Sequence, residues 1–476
     1  MKHHDVPPAV TIVGGGLAGC EAAWQVASRG VPVRLYEMRP VRATEVHRTD
    51  RLAELVCSNS FRGDKLDNAV GLLKEEMRRM GSLVMRCAES ARVPAGAALA
   101  VDRQVFSDAV TAAITAHPHI EVRREEVPML PPSTVGGITI VATGPLTSDA
   151  LSDDIVRFVG AEHLSFYDAI SPIVLADSID RQVVYRASRW GRNVRPSTAS
   201  ADETSPAPAC GIDDGEGDYL NCPLDESQYR AFYDALTTAE SATVHDFEKA
   251  QIFEGCLPVE VMAHRGVDTL RFGPMKPVGL PDPRTGRVPY AVVQLRQDTL
   301  AGDHYSLVGF QTQLKWGEQA RVFRMIPGLE HAEFARFGVV HRNTYLNGPT
   351  VLQATWQTRA RADLFFAGQV SGVEGYVESA ASGLVAGINA ARMATGSDPV
   401  VLPRTTALGA LAHYVSHADP AHYQPTNITF GIMPPLEQPP RRKPQRKEAL
   451  AARALRALDE WRAGLQVADT VLQDPR

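Results

Sequence analysis

One stretch near the start, Val10-Thr-Ile-Val-Gly-Gly-Gly-Leu-Ala-Gly19, constrains this chain more than any other feature. Ala9 to Val13 reads as a short buried strand. Gly14, Gly16 and Gly19 form a G-x-G-x-x-G turn, and Cys20 to Ser28 reads as an Ala-rich helix. A second strand, Val31 to Tyr36, ends on Glu37. Each glycine has a physical role. Gly14 permits the tight turn, Gly16 lets the backbone approach a pyrophosphate, and Gly19 lets helix pack on strand. The helix N-terminus offers unpaired N–H groups and a positive dipole end to phosphates. Glu37 is positioned to accept from ribose hydroxyls. Glycines alone are weak evidence. Strand, glycine turn, helix, second strand and acid in this order predict a dinucleotide site. Its candidate contacts are Gly14, Gly15, Gly16, Leu17, Ala18, Gly19, Glu37, Met38 and Arg39.

Two later segments carry the same signal. Ile138-Thr-Ile-Val-Ala-Thr-Gly-Pro145 is a buried strand ending in Ala142, Thr143 and Gly144. Asp363-Leu-Phe-Phe-Ala-Gly-Gln369 is another, and it leads through Val373-Glu-Gly-Tyr-Val-Glu-Ser379 into a small-residue helix, Ala380 to Arg392, containing Gly383 and Gly387. A helix N-terminus there would favour negative charge on a reduced flavin. This adds Gly368, Gln369, Gly375 and Tyr376 to the candidates and predicts a nucleotide-binding fold built from both ends of the chain.

The remaining organisation follows from composition. With 476 residues, two or three domains are expected. Residues 41 to 66 lack helical or strand periodicity and read as a long functional loop. Asn68 to Cys87 reads as one amphipathic helical stretch, with Val70, Leu73, Met77, Met80 and Leu83 on its apolar face. From about Ala150 to residue 335 strands alternate with Pro-rich segments, which predicts an inserted domain. The Ser-, Pro- and Ala-rich excursion near 192–216 cannot bury a core. Thus 1–155 reads as the first part of the nucleotide domain, 156–335 as the insertion and 336–440 as the returning part. Residues 441–476 read as a basic linker, Arg441 to Lys447, and a helix from Glu448 to Leu465. No apolar run is long enough to span a bilayer and the start carries no apolar signal segment, so the expected compartment is the cytoplasm, without a membrane.

The net charge of −6 does not advertise nucleic-acid binding, although a local basic surface is what counts. The six cysteines, Cys20, Cys57, Cys87, Cys210, Cys222 and Cys256, contain no C-x-x-C pair or zinc spacing, so no metal is expected. Cys20 and Cys87 read as small buried hydrophobes. Cys57, in Glu54-Leu-Val-Cys-Ser-Asn-Ser60, and Cys256, in Phe253-Glu-Gly-Cys-Leu-Pro-Val-Glu260, stand in different company. Their Gly, Pro, Ser and Glu neighbours are not those of an embedded structural thiol. A thiolate is a strong soft nucleophile. Two such thiols at a flavin suggest a redox disulfide, or covalent catalysis with proton transfer.

At this point the chain resembles the bacterial folate- and FAD-dependent tRNA (uracil-5-)-methyltransferases, relatives of the flavoproteins that modify wobble uridines. The resemblance rests on Gly14 to Trp24, Tyr36 to Pro40, Leu55 to Ser60, Arg92 to Gly96, Leu99 to Arg103, Ala142 to Ser148, Asp218 to Pro223, Phe253 to Pro258 and Phe272 to Gly279. It continues through Val292 to Arg296, Gly309 to Thr312, His341 to Leu346 and Phe366 to Gln369, and so covers nearly the whole chain.

The resemblance implies an α/β fold, with a Rossmann-like FAD-binding domain of the glutathione-reductase type and an inserted α+β domain. It implies that C5 of the T-loop uridine of tRNA is methylated to ribothymidine. The carbon would come from 5,10-methylenetetrahydrofolate, the electrons from reduced FAD, and NADH or NADPH would re-reduce the flavin. Cys256 is then expected to add to uracil C6, and Cys57 to accept the C5 proton. Lys276, Arg296, Lys315 and Arg342 are candidates for the folate glutamate or RNA phosphates, and Tyr345 for stacking on a ring. The same chemistry on ribosomal RNA, a flavin-dependent thiol oxidoreductase and a flavin-bound RNA-binding scaffold are the alternatives. No obligate protein partner is expected, and the chain is expected to be a monomer or a weak dimer.

Overall fold

A computed structural model describes residues 10–44, 46–133, 137–160, 164–169, 171–191, 217–241, 251–252, 257–338 and 340–473. For 164–169, 251–252, 340–344 and 466–473 only the backbone is described. A five-stranded parallel sheet forms the heart of the fold, in the order β17 (Leu364–Phe366), β7 (Ile138–Val141), β1 (Val10–Val13), β2 (Val33–Tyr36), β6 (Ile120–Arg123). Val13 is level with Tyr36 on one side and Val141 on the other, and Val141 is level with Phe366. Four strands therefore end at the same height, where ligands bind in open parallel sheets.

Helix α1 (Leu17–Ala27) follows the glycine turn and packs against α11 (Tyr376–Ala394). A Cβ on Gly383 would come within 2.2 Å of the Ala18 carbonyl oxygen, and one on Gly387 within 2.7 Å of that of Ala22. The glycines of the late helix thus let two backbones touch. Around this core lie α2 (Ala69–Arg79), α3 (Leu83–Ser90), α4 (Arg103–Thr115), α5 (Asp149–Val159) and α12 (Ala407–His417). The expected single helix over 68–87 is two helices. Gly81 turns with φ +74, and the side chains of Asn68 and Ser82 cap the two starts.

The middle of the chain builds a six-stranded antiparallel sheet, in the order β10 (Tyr185–Ala187), β11 (Tyr219–Leu224), β13 (Ala291–Gln297), β14 (His304–Leu307), β9 (Ile173–Leu175), β15 (Phe334–Arg336). It packs with α6 (Glu226–Thr237), α7 (Val259–Ala263), α8 (Thr269–Phe272) and α9 (Trp316–Phe323) around a second core that contains Phe232, Phe310 and Phe323. Two smaller sheets complete the fold. One is β3 (Ser60–Gly63), β5 (Ala98–Val101), β4 (Arg92–Val93), and the other β12 (Gln251–Ile252), β8 (Leu164–Ala169), β16 (Val340–Tyr345). Beyond β16 the short α10 (Gly348–Val351) leads back to the parallel sheet.

Some boundaries differ from the sequence expectation. The loop over 41–66 ends in β3, because Ser60 and Gly63 pair with Ala100 and Ala98. α13 (Lys443–Gln473) starts inside the basic run, not at Glu448. It is held by the buried Ala451, Ala454 and Leu458 and by an Arg79–Asp459 ion pair of 2.7 Å. The excursion near 192–216, with Cys210, lies outside the described residues, as do residues 1–9 before β1.

Candidate cofactor and thiol site

At the level ends of β1, β2, β7 and β17 opens a cavity of about 420 Å³. Gly14 to Ala18 form its floor. Gly14 has φ +108, and a Cβ there would lie 2.5 Å from the Ala142 carbonyl oxygen, so the turn accepts glycine only. Gly19 does not line the cavity: a Cβ on it would meet the Gly14 carbonyl oxygen at 1.8 Å, and this contact seats α1 on the turn. At Gly16, by contrast, a Cβ would meet nothing within 4 Å. Gly16 is the N-cap of α1, without a side-chain capping bond, and no acid lies in the first turn. The N–H groups at this helix end and its dipole are left for an anion, which suits a pyrophosphate.

A second helix end also borders the cavity. Gly375 caps α11 with φ +107, again without a side-chain capping bond, and Tyr376 is the first helical residue. The sequence expectation started this helix four residues later, at Ala380. Gly368, Gln369, Glu374, Gly375, Tyr376 and Asn427 all border the cavity, as do Ala142, Thr143 and Gly144.

Glu37, Met38 and Arg39 form the wall at the end of β2. Glu37 accepts from the Gly15 N–H at 3.1 Å, from the Arg39 N–H at 2.9 Å and from the Arg39 guanidinium at 2.9 and 3.2 Å. Burial raises the carboxyl pKa, but the Arg39 contacts outweigh it and hold Glu37 below the usual carboxylate range. Arg39 also donates to the Thr49 and Arg51 carbonyls and to Glu54 at 3.0–3.2 Å. One arginine thus ties the acid at the end of β2 to the loop that carries Cys57.

Cys57 is half-buried and lines the same cavity. Its N–H donates to the Tyr376 hydroxyl at 2.8 Å, and the Ser58 N–H donates to the same oxygen at 3.0 Å. Arg296, on β13, donates through Nε to Asn59 at 2.8 Å and through Nη2 to Ser58 at 2.9 Å. Arg103 donates to the Leu55 carbonyl and pairs with Asp298 at 3.2 Å. Arg62 pairs with the fully buried Glu378, which also accepts the Ile428 N–H at 2.8 Å. Burial pushes the thiols of Cys20, Cys87 and Cys222 up, which marks them as structural. Cys57 alone among the described cysteines opens to the cavity.

The other expected residues divide. Arg296 borders the cavity. Tyr345 does not: it is 1% exposed and packs against Tyr423 at 6.3 Å, so its ring is spent on the core. Lys276 is an exposed residue whose carbonyl accepts from Arg189, and Lys315 pairs with Glu240 at 2.6 Å on the surface; neither borders the cavity. Arg342 pairs with Tyr167 along β16 and β8, and only its backbone is described. Cys256 lies outside the described residues, just before the buried Leu257 and Pro258. Sequence reasoning did not single out Arg62, Arg103 or Asn427. Arg103 carried a usable signal, an Asp102 helix cap directly before it, whose carboxylate accepts from Gln104 and Val105.

The bare start of α1, a glycine turn that opens on the cavity, and a wall of Glu37 and Arg39 suit an FAD. Among the described residues no cluster of His, Cys, Asp and Glu could hold a metal ion. No described helix is long and apolar enough to cross a membrane.

The model of the glucose inhibited division protein A family matches residues 9–398. The methylenetetrahydrofolate–tRNA-(uracil-5-)-methyltransferase TrmFO of Symbiobacterium thermophilum is 59% identical over 461 residues, which covers 96% of this chain and 98% of the relative. Its namesake in Lacticaseibacillus paracasei is 53% identical over 464 residues, covering 98% and 100%. Among solved structures, Aquifex aeolicus GidA superposes with a TM-score of 0.64 at 17% identity, covering 95% of this chain and 73% of that one, which shows a common fold. The chain therefore belongs to the TrmFO family of methylenetetrahydrofolate–tRNA-(uracil-5-)-methyltransferases, within the wider glucose inhibited division protein A family.

Proposed function

We propose that the protein methylates C5 of the T-loop uridine of tRNA, with 5,10-methylenetetrahydrofolate as carbon donor, FAD as redox cofactor and NADH or NADPH as the source of electrons, in the cytoplasm. Its membership of the family supports the reaction class. The observation that carries the reading is that Cys57 shares one cavity with the dinucleotide turn and is tethered to the cofactor-side helix by Tyr376.

The residues to hold FAD are Gly14 to Ala18 at the pyrophosphate, Glu37 and Arg39 at the ribose, and Gly368, Gln369, Gly375 and Tyr376 toward the ring. Bound there, FAD supplies the electrons that convert a transferred methylene into a methyl group. The protein's own part is acid–base and covalent chemistry on uracil. C5 of uracil is a poor nucleophile. Addition of the Cys256 thiolate to C6 makes it an enolate that attacks the methylene carbon. Cys57 then takes the C5 proton as the bond between the transferred carbon and the folate nitrogen breaks. Once that carbon has gained the hydride equivalent that FAD would supply, loss of the Cys256 thiolate restores the ring with a methyl group at C5. The target base must leave its loop to reach such a site. Cys57 and Ser58 are held by backbone bonds to Tyr376 and by Arg296, so the proton acceptor need not reorder when the base arrives.

Trapping with 5-fluorouridine tRNA tests the division of roles. Cys256→Ala abolishes the covalent complex and Cys57→Ala retains it. The reverse pattern exchanges the two roles.

A further inference from the structure

Three rings stand in an unusual arrangement on the edge of the six-stranded sheet. Trp316, the first residue of α9, is 63% exposed. Its ring lies parallel to Phe337, at 5.9 Å and 15°, and Phe337 lies parallel to Phe334, at 5.0 Å and 20°. By contrast, the core pair Phe310 and Phe323 meets edge-on, at 74°. A parallel stack that ends in an exposed indole presents a flat face to whatever arrives next.

Arg336 sits inside this stack in sequence, between Phe334 and Phe337. It closes β15, the edge strand, where the register against β9 shifts between Phe334 and Arg336. Such bulges at sheet edges re-aim side chains, often toward active sites. Arg336 pairs in register with Ile173, two residues from Ser171, which borders the cavity. Its Nε and Nη2 are buried and have no hydrogen-bond partner among the described residues. The side chain as a whole remains partly exposed. Burial and the nearby Arg103 hold its pKa below the ordinary arginine value, and the Cys57 and Tyr376 groups are within its electrostatic reach. Among the described residues no carboxylate pairs with this cation.

We propose that Trp316, Phe337 and Phe334 form a stacking platform for RNA, on which a base next to the target uridine lies against Trp316 while Arg336 turns to meet a backbone phosphate. The proposal rests on RNA being the substrate. Once the target base leaves its loop, its neighbours lose a stacking partner, and exposed aromatic rings and arginines are the groups that replace one. A chain with a net charge of −6 also needs local cations to hold a polyanion.

The test uses the full-length FAD-loaded enzyme and a tRNA transcript. Trp316→Ala is expected to raise KM for tRNA about five- to a hundredfold with kcat within about twofold. Trp316→Phe is expected to keep KM near wild type and to lose most of the tRNA-induced quenching of tryptophan fluorescence. Arg336→Gln is expected to lower the slope of log affinity against log salt by about one. An unchanged flavin spectrum in each variant shows an intact fold. Wild-type KM and salt slope in both Trp316→Ala and Arg336→Gln overturn the proposal while methylation by the wild type still stands. A wild type that binds no tRNA overturns the functional reading, and the platform with it.

Discussion

The hydroxyl of Tyr376 accepts the backbone N–H groups of both Cys57 and Ser58, at 2.8 and 3.0 Å, across more than three hundred residues of sequence. Burial pushes this hydroxyl well up, so it stays protonated and neutral while it serves as acceptor. Tyr376→Phe leaves two donors without an acceptor, a loss of about 1–3 kcal/mol for each group that stays dry. The methylation rate is expected to fall at least about tenfold, with FAD still bound through the glycine turn. Steady-state kinetics beside a flavin absorbance titration separate the two effects; equal losses of rate and flavin would contradict the assignment.

Gly16 and Gly19 are three residues apart and predict opposite phenotypes. A Cβ at position 19 collides with the Gly14 carbonyl oxygen at 1.8 Å, whereas one at position 16 meets nothing within 4 Å. Gly19→Ala is expected to cost about 1–3 kcal/mol of stability through overpacking. Gly16→Ala is expected to change apo-protein stability by less than about 1 kcal/mol and yet to weaken FAD binding, because its methyl group enters the space the pyrophosphate needs. Melting curves with and without FAD decide between these outcomes.

Glu76 is fully buried on α2, and its carboxylate accepts the Ala407 and Leu408 N–H groups at the start of α12, at 2.8 and 2.9 Å. Burial pushes its pKa up to about 8, against the partial relief of those two bonds. A group with its folded pKa raised stabilises fully below its unfolded pKa and loses that contribution as pH rises through the folded one. The wild type should therefore lose stability relative to Glu76→Gln between about pH 4.5 and 8, by at most about 1.4 kcal/mol per pH unit. Denaturant unfolding of both proteins at pH 5 and pH 8 measures this; a constant difference would contradict it.

Much of the cofactor half was legible because its chemistry is local. Val10 to Glu37 contains strand, turn, helix and acid in contiguous order, and period and glycine spacing suffice to read them. The late segment around Phe366 was legible for the same reason, although the start of α11 at Tyr376 was not. That helix is capped by a glycine at positive φ, which leaves no Ser, Thr or Asp to mark the boundary. The charged lining was harder. Arg296 and Tyr345 came from one resemblance, yet one borders the cavity and the other fills the core beside Tyr423. Which face of a strand meets the cavity depends on pairing across the six-stranded sheet, and a single strand does not record its partner. Arg62 and Arg103 hold their places through Glu378 and Asp298, contacts that only the folded chain brings together.

The central claim is that this cavity joins a folate carbon to uracil in RNA with the help of Cys57. Incubation of the FAD-loaded enzyme with tRNA tritiated at uridine C5, with NADPH, and with methylenetetrahydrofolate labelled in its methylene carbon tests it directly. Tritium release and carbon transfer are predicted in equal amounts, both dependent on folate and both reduced at least about a hundredfold in Cys57→Ala. Thiol oxidation that proceeds without RNA, or tritium release indifferent to folate, would contradict it.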